Sequence, residues 1–256
     1  MKKIIVLIIS FCPLLLMAQK DSMLSKVYEW KQPTGNEHNK ISSSVLFEGS
    51  TYDMAWLQMN AVEFVASGTV NKMTVPADQE QLYIIKKGSL TVGVNDSTYP
   101  LVKGSVALLL PGQNFSIQNK SVVPCDYYIM KYRSKSPTDL QRGKDSGGSF
   151  IKDWNKIEFN PNEKGGTRKY FQRPTAMCKR LEMHATTLNA ALKSHAPHTH
   201  RAQEIIVVFD GDTEMQIGQQ VYKGNEGDVY YLGSNVLHGI RNIGSGSCTY
   251  LAFQFE

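Results

Sequence analysis

The sequence predicts an all-β protein made of two tandem barrels, each a copy of one unit. Three observations carry this. Landmarks of the second half recur in the first at a fixed distance: Gly211 falls on Gly88, Gly227 on Gly104 and Asn242 on Asn119 at an offset of 123, while Leu57–Ala61 echoes Leu181–Ala185 at 124. Short apolar runs are bounded by Gly, Pro and Asn, as in Leu82–Lys86 with Leu90–Val94 around Lys87-Gly88, and Ile205–Phe209 with Thr213–Ile217 around Asp210-Gly211. Such spacing reads as hairpins. No helical period of useful length is sustained.

In chain order, Met1–Ala18 reads as a cleaved secretory signal peptide. Lys2 and Lys3 precede an apolar run from Ile4 to Met17 that is too short, and too broken by Pro13, to be a membrane anchor of about 20 residues. The expected location is therefore periplasmic or secreted, with no membrane contact after signal removal. The formal charge of +5 falls to +3 when the leader's two lysines go. With no dense basic cluster and no helix-turn-helix candidate, nucleic acid is excluded as a partner. Cys125, Cys178 and Cys248 remain, an odd number without a C-x-x-C pair, and read as buried free thiols.

Residues 19–133 are expected to form the N-terminal barrel, with residues 20–40, including Tyr28 and Trp30, as an ordered lead-in. Residues 134–149 are polar and rich in Gly and Ser, and read as the linker. Residues 150–256 form the C-terminal barrel. Its own lead-in, Phe150–Arg173, holds Trp154, Phe159 and Phe171 and is expected to pack on a barrel or across the domain interface.

The chemistry lies between His198 and Asn242. His198, His200 and Glu204 share parity, so an extended strand sends all three side chains to one face. Two imidazoles and a carboxylate suit a first-row divalent metal, and His238 on a neighbouring strand supplies a fourth ligand. At the offset of 123 the ligand positions become Val75, Ala77, Gln81 and Phe115. The first barrel therefore keeps the turns and loses the metal site, and its interior is expected to be drier and more apolar than its partner's.

These residues resemble the cupins, whose first motif is G-x5-H-x-H-x3,4-E-x6-G and whose second is G-x5-P-x-G-x2-H-x3-N. His198, His200, Glu204 and Gly211 match the first motif, and Gly227, His238 and Asn242 match the second. Leu192, Gly233 and Asn235 replace a glycine, the proline and another glycine of the motifs, none of them at a ligand position. The resemblance implies a bicupin: two tandem double-stranded β-helix (jelly-roll) barrels with one divalent metal, in the second. Mn, Fe, Ni, Co and Zn all fit the donor set. Bicupins often pair through their barrels, which admits a homodimer.

Two functions remain open at this point. One is an exported metal-dependent enzyme on a small polar, carboxylate- or carbonyl-bearing substrate, uronate- or sugar-derived or ureido-type, acting as a lyase, isomerase, aminohydrolase or dioxygenase. The other is a non-catalytic metal- or sugar-binding protein. Candidate catalytic residues are His184, Arg180 and Tyr230. His184 leads because its counterpart in the metal-free copy is Asn60, so the imidazole changed together with the ligands.

Overall fold

The computed structural model describes residues 23–33 and 40–256. The leader read at 1–18 lies outside the described residues. The first half runs β1 (Lys26–Tyr28), β2 (Ile41–Gly49), β3 (Met54–Phe64), β4 (Thr69–Thr74), β5 (Glu80–Lys87), β6 (Ser89–Val94), β7 (Ser97–Val102), β8 (Val106–Leu109), β9 (Asn114–Gln118) and β10 (Cys125–Ser134). After α1 (Leu140–Asp145) come β11 (Phe150–Lys152), a 3-10 turn (Trp154–Lys156), β12 (Asn160–Asn162), β13 (Gly165–Arg173) and β14 (Leu181–Leu188). The second barrel continues with β15 (Gln203–Asp210), β16 (Thr213–Ile217), β17 (Gln220–Gly224), β18 (Val229–Leu232), β19 (His238–Asn242) and β20 (Cys248–Phe255).

The sheets run β11-β8-β5-β10-β3-β2 and β4-β9-β6-β7 in the first half, and β1-β18-β15-β20-β14-β13-β12 and β17-β16-β19 in the second. Each half is a large sheet closed over a small one. Val62, Tyr83 and Ile85 meet Val92, Phe115 and Ile117 in the first barrel. Ile206, Val208 and Tyr230 meet Met215, Ile217 and Ile240 in the second.

The runs read as hairpins are corners instead. β5 and β6 belong to different sheets, as do β15 and β16. Gly88 and Gly211 turn the chain between sheets with φ of 76° and 75°, and a Cβ there would stand 2.8 and 2.9 Å from the carbonyls of Pro124 and Ser247. Only glycine meets both demands. The repeated asparagine also has a task. Asn119 Nδ2 donates to the carbonyls of Phe64, Val65 and Val123, and Asn242 Nδ2 to those of Leu188, Asn189 and Gly246. One side chain thereby satisfies buried carbonyls where the ladder ends.

The halves exchange arms. β1 pairs antiparallel with β18 of the second barrel, and β11 with β8 of the first. Trp30 N–H donates to Asp228 at 2.8 Å and Trp154 N–H to Ser105 Oγ at 3.0 Å, while the two indoles lie against Gly227 and Gly104. Both lead-ins thus cross the interface, and the boundaries 19–133 and 150–256 do not coincide with the sheets. The largest apolar cluster lies between the barrels, with Met59, Leu82 and Tyr128 from one half and Met183, Ile205 and Phe253 from the other. Parity divides each central strand: Ile205 and Val207 face the interface, Ile206 and Val208 the barrel interior.

The linker is ordered. Asp139 caps α1 by accepting from Arg142 N–H at 2.9 Å, and the Arg142 guanidinium donates to the carbonyls of Thr175 and Ala176 at 2.7 and 3.1 Å. Those carbonyls dock the polar stretch on the second half, which composition alone did not reveal. Cys125, Cys178 and Cys248 are buried free thiols. Burial pushes Cys125 up to about 12 and Cys248 up to about 11, leaving both unreactive at neutral pH.

Glu80 is fully buried at the interface and accepts from Tyr132 Oη, Thr175 Oγ1 and Ala176 N–H, each at 2.7 Å. Its counterpart Gln203 makes the matching reach, accepting from Tyr52 N–H at 3.1 Å and donating to Asp53 at 2.8 Å. Burial raises the Glu80 carboxyl above its ordinary value, outweighing the donors that favour the anion. A proton held more tightly in the folded state stabilises below the unfolded value, and that contribution is lost as pH rises through the folded value. Glu80→Gln, whose amide oxygen can keep the Ala176 N–H bond and whose NH2 can donate to Tyr132 Oη, is expected to lose this falling trend. Thermal melts from about pH 4 to about pH 8 check it; parallel curves for the two proteins would refute it.

Candidate metal centre

β15 and β19 deliver the site from different sheets, held together by one bridge. His198 and His238 exchange both backbone hydrogen bonds at 2.9 Å, an isolated bridge between the chain before β15 and the first residue of β19. The chain bends at Arg201-Ala202, so His198 and His200 precede β15 rather than extend it. The expected convergence still occurs. One ligand atom from each of His198, His200 and His238 lies within 4.8 Å of the others. Glu204 Oε2 stands 3.4 Å from His200 Nε2 and 3.2 Å from His238 Nε2, so it reaches two of the three imidazoles.

These side chains fit a cation. His200 Nδ1 contacts the Ala202 carbonyl and His238 Nδ1 the Val236 carbonyl, both at 2.8 Å. A carbonyl can only accept, so both rings carry the proton on Nδ1 and turn a lone pair on Nε2 inward. His238 Nε2 is buried with no hydrogen-bond partner among the described residues; Glu204 is near enough but wrongly angled. A buried ring nitrogen aimed at a carboxylate and two further imidazoles lacks only a positive centre. Burial alone would raise the Glu204 carboxyl, yet the His200 and His238 imidazoles beside it hold it down at about 2. His200 is raised by the same carboxylate, whereas desolvation and the neighbouring imidazoles lower His198. The His198, His200 and His238 group could therefore hold a metal ion.

The other candidates separate. Glu182, His184 and Glu204 face the barrel interior, since the intervening Leu181, Met183 and Ile205 face the interface. His184 Nδ1 stands 3.9 Å from Glu182, and Arg180 binds Glu182 and reaches Gln254 at 3.4 Å and Glu256 at 3.8 Å. Arg180 is thus committed to protein carboxylates. Tyr230 has a different task from the one expected: its hydroxyl hydrogen-bonds Thr213 Oγ1 at 3.1 Å, at the end of β16 away from Ile217, the partner of His238. The sheet sends Tyr230 inward and Tyr231 to the interface.

One site residue was missed, Gln254. Glu182 and Gln254 pair across the sheet in one row with Glu204, and Gln254 Nε2 lies 3.4 Å from His200 Nε2 and 3.5 Å from Glu204 Oε1. Gln254 carried no motif signal. The repeat could have found it, because its counterpart at offset 123 is the very different Lys131.

Comparisons with known proteins agree with this fold. A cupin domain model matches residues 187–253, and a model of the AraC-like ligand binding domain matches residues 76–151. The chain carries the cupin fold twice. AerE from Microcystis aeruginosa superposes on this tandem cupin with a TM-score of 0.66 at 14% identity, covering 88% of this chain and 97% of that one. Ylba from E. coli gives 0.66 at 12% identity, with 92% and 88% covered. An oxalate decarboxylase of Bacillus subtilis gives 0.66 at 11% identity, with 91% and 78% covered. At these identities the likeness is one of fold. No curated protein matches the tandem cupin in sequence.

Proposed function

We propose that this tandem cupin is an exported, metal-dependent enzyme acting on a small polar substrate with a carboxylate or carbonyl group. The observation that carries the reading is the asymmetry of the site's edges. His238 and Glu204 are buried, while His198 is exposed, so the group is closed on the barrel side and open to solvent on the other. A closed structural site would have no such opening.

His198, His200, Glu204 and His238 would hold one divalent ion. Such an ion would polarise a bound carbonyl or carboxylate and acidify a coordinated water. Glu182 stands between Arg180 and His184, so Arg180 braces the carboxylate nearest the His184 imidazole. On this reading His184, on the interior face of the same sheet as Glu204, gives or takes the proton. Gln254 orients the Glu204 carboxylate from behind.

Metal analysis of protein from its native compartment, followed by turnover assays on uronates, ureido compounds and small keto acids, tests this. Metal-dependent turnover that falls about 100-fold or more in His184→Gln with unchanged metal content is the expected result. Metal bound without turnover of any of these classes would favour the non-catalytic binding protein. Among the described residues no helix is long and apolar enough to cross a membrane, and export is checked by locating the mature protein.

A further inference from the structure

The first barrel is not simply a dry remnant. Its ligand positions are filled as the sequence suggests: Val75 and Phe115 are buried, and Tyr83 packs edge-on against Phe115 at 5.7 Å. The row above that floor is polar. Lys131 on β10 pairs with Gln58 on one side and Gln81 on the other, as Gln254 pairs with Glu182 and Glu204 in the second barrel. Both acids of the metal-bearing row are amides here, and its neutral amide is an ammonium. Where the second barrel assembles carboxylate and imidazole around a cation, the first carries a fixed cation of its own.

Hydrogen bonding around this row leaves donors over. The Glu48 carboxylate accepts from Trp56 Nε1 at 2.6 Å and Gln58 Nε2 at 2.8 Å, and both bonds hold it below its ordinary value. Gln58 Oε1 accepts from Asn60 Nδ2 at 2.9 Å, and Gln81 Oε1 from Tyr83 Oη at 2.9 Å. The acceptors are thus largely occupied. Gln81 Nε2 and Lys131 Nζ, by contrast, make no hydrogen bond or ion pair with any described residue.

We propose that the mouth of the first barrel is a binding site for a small carboxylate, held by the Lys131 ammonium and the amide N–H groups of Gln81 and Asn60. A surplus of donors, with the Lys131 charge partly balanced by Glu48, calls for at most a singly charged, acceptor-only ligand group, and a planar carboxylate offers two oxygens to such a row. A dianion such as phosphate would face a single cation, with Glu48 close by. The apolar floor of Val75 and Phe115 limits the ligand to the rim and favours a short organic tail over a bare ion. Burial lowers the Lys131 ammonium, partly offset by Glu48, as for an amine withdrawn from bulk water. This site is separate from the proposed metal centre and does not depend on it.

The test uses the full chain stripped of metal with phenanthroline, so that the second barrel cannot capture the probe. Calorimetric titration with acetate, pyruvate, succinate and galacturonate, each to about 20 mM, is expected to show saturable one-to-one binding of at least one. Lys131→Gln, which places the amide of the sister barrel at the same register, should weaken that binding about tenfold or more. Lys131→Arg should keep most of it, and equal melting temperatures would show that both variants fold. Equal affinity in Lys131→Gln, tighter binding of inorganic phosphate than of every carboxylate, or no saturation by any probe would overturn the proposal.

Discussion

His238→Ala is expected to reduce metal content from one ion per chain to near zero, with affinity falling on the order of 100-fold or more. Loss of a residue that merely orients a ligand costs about 10- to 100-fold, and His238 is itself placed as a ligand. Its Nε2 is buried and 3.2 Å from Glu204, and its loss removes one of the three imidazoles that converge there. The alanine also leaves Glu204, otherwise held at about 2 by two imidazoles, with one partner fewer. Elemental analysis after dialysis is the measurement. Gln81→Ala, at the matching position of the first barrel, should leave metal content unchanged. A wild-type stoichiometry near two, or an unaltered one in His238→Ala, would remove the basis for a single centre in the second barrel.

The second large effect is expected on dividing the chain. Residues 150–256 expressed alone should aggregate or fail to hold metal. The fragment lacks β1, which pairs with β18, and leaves β11 without β8. It would also expose the interface face of its central sheet, including Met183, Ile205, Val207, Tyr231, Phe253 and Phe255. At about 1.5–3 kcal/mol for each large apolar side chain, the loss is on the order of 10 kcal/mol. Domain stabilities are themselves about 5–15 kcal/mol, so the fragment has nothing comparable to offset it. A soluble, monomeric fragment that binds metal as tightly as the full chain would show that the first barrel is not a scaffold for the second.

The barrel interiors and the ligand row were legible because they depend on local alternation. Strand parity sorts Glu204, Ile206 and Val208 from Ile205 and Val207 whatever the rest of the chain does, and the fixed offset marks Gly88, Gly211, Asn119 and Asn242 as equivalent. His184 stood out for a related reason, since the repeat supplies Asn60 as an internal control. The hairpins at Gly88 and Gly211 were misread because a glycine with positive φ serves a corner between sheets as readily as a turn within one. The choice is made by which strand the next run finds.

What the sequence by itself determined is the duplicated all-β unit, the pairing of His198, His200 and Glu204 with His238, and the absence of those donors from the first copy. Only the tertiary structure decided that the copies trade β1 and β11, that Tyr230 serves Thr213 rather than the histidines, and that Gln254 and Lys131 occupy equivalent rows. The physical reason is the range of the interaction. Alternation and turn conformation are written in neighbouring residues, whereas strand exchange and cross-sheet rows join residues up to about two hundred positions apart, such as Trp30 and Asp228, where burial of a shared apolar face selects the pairing.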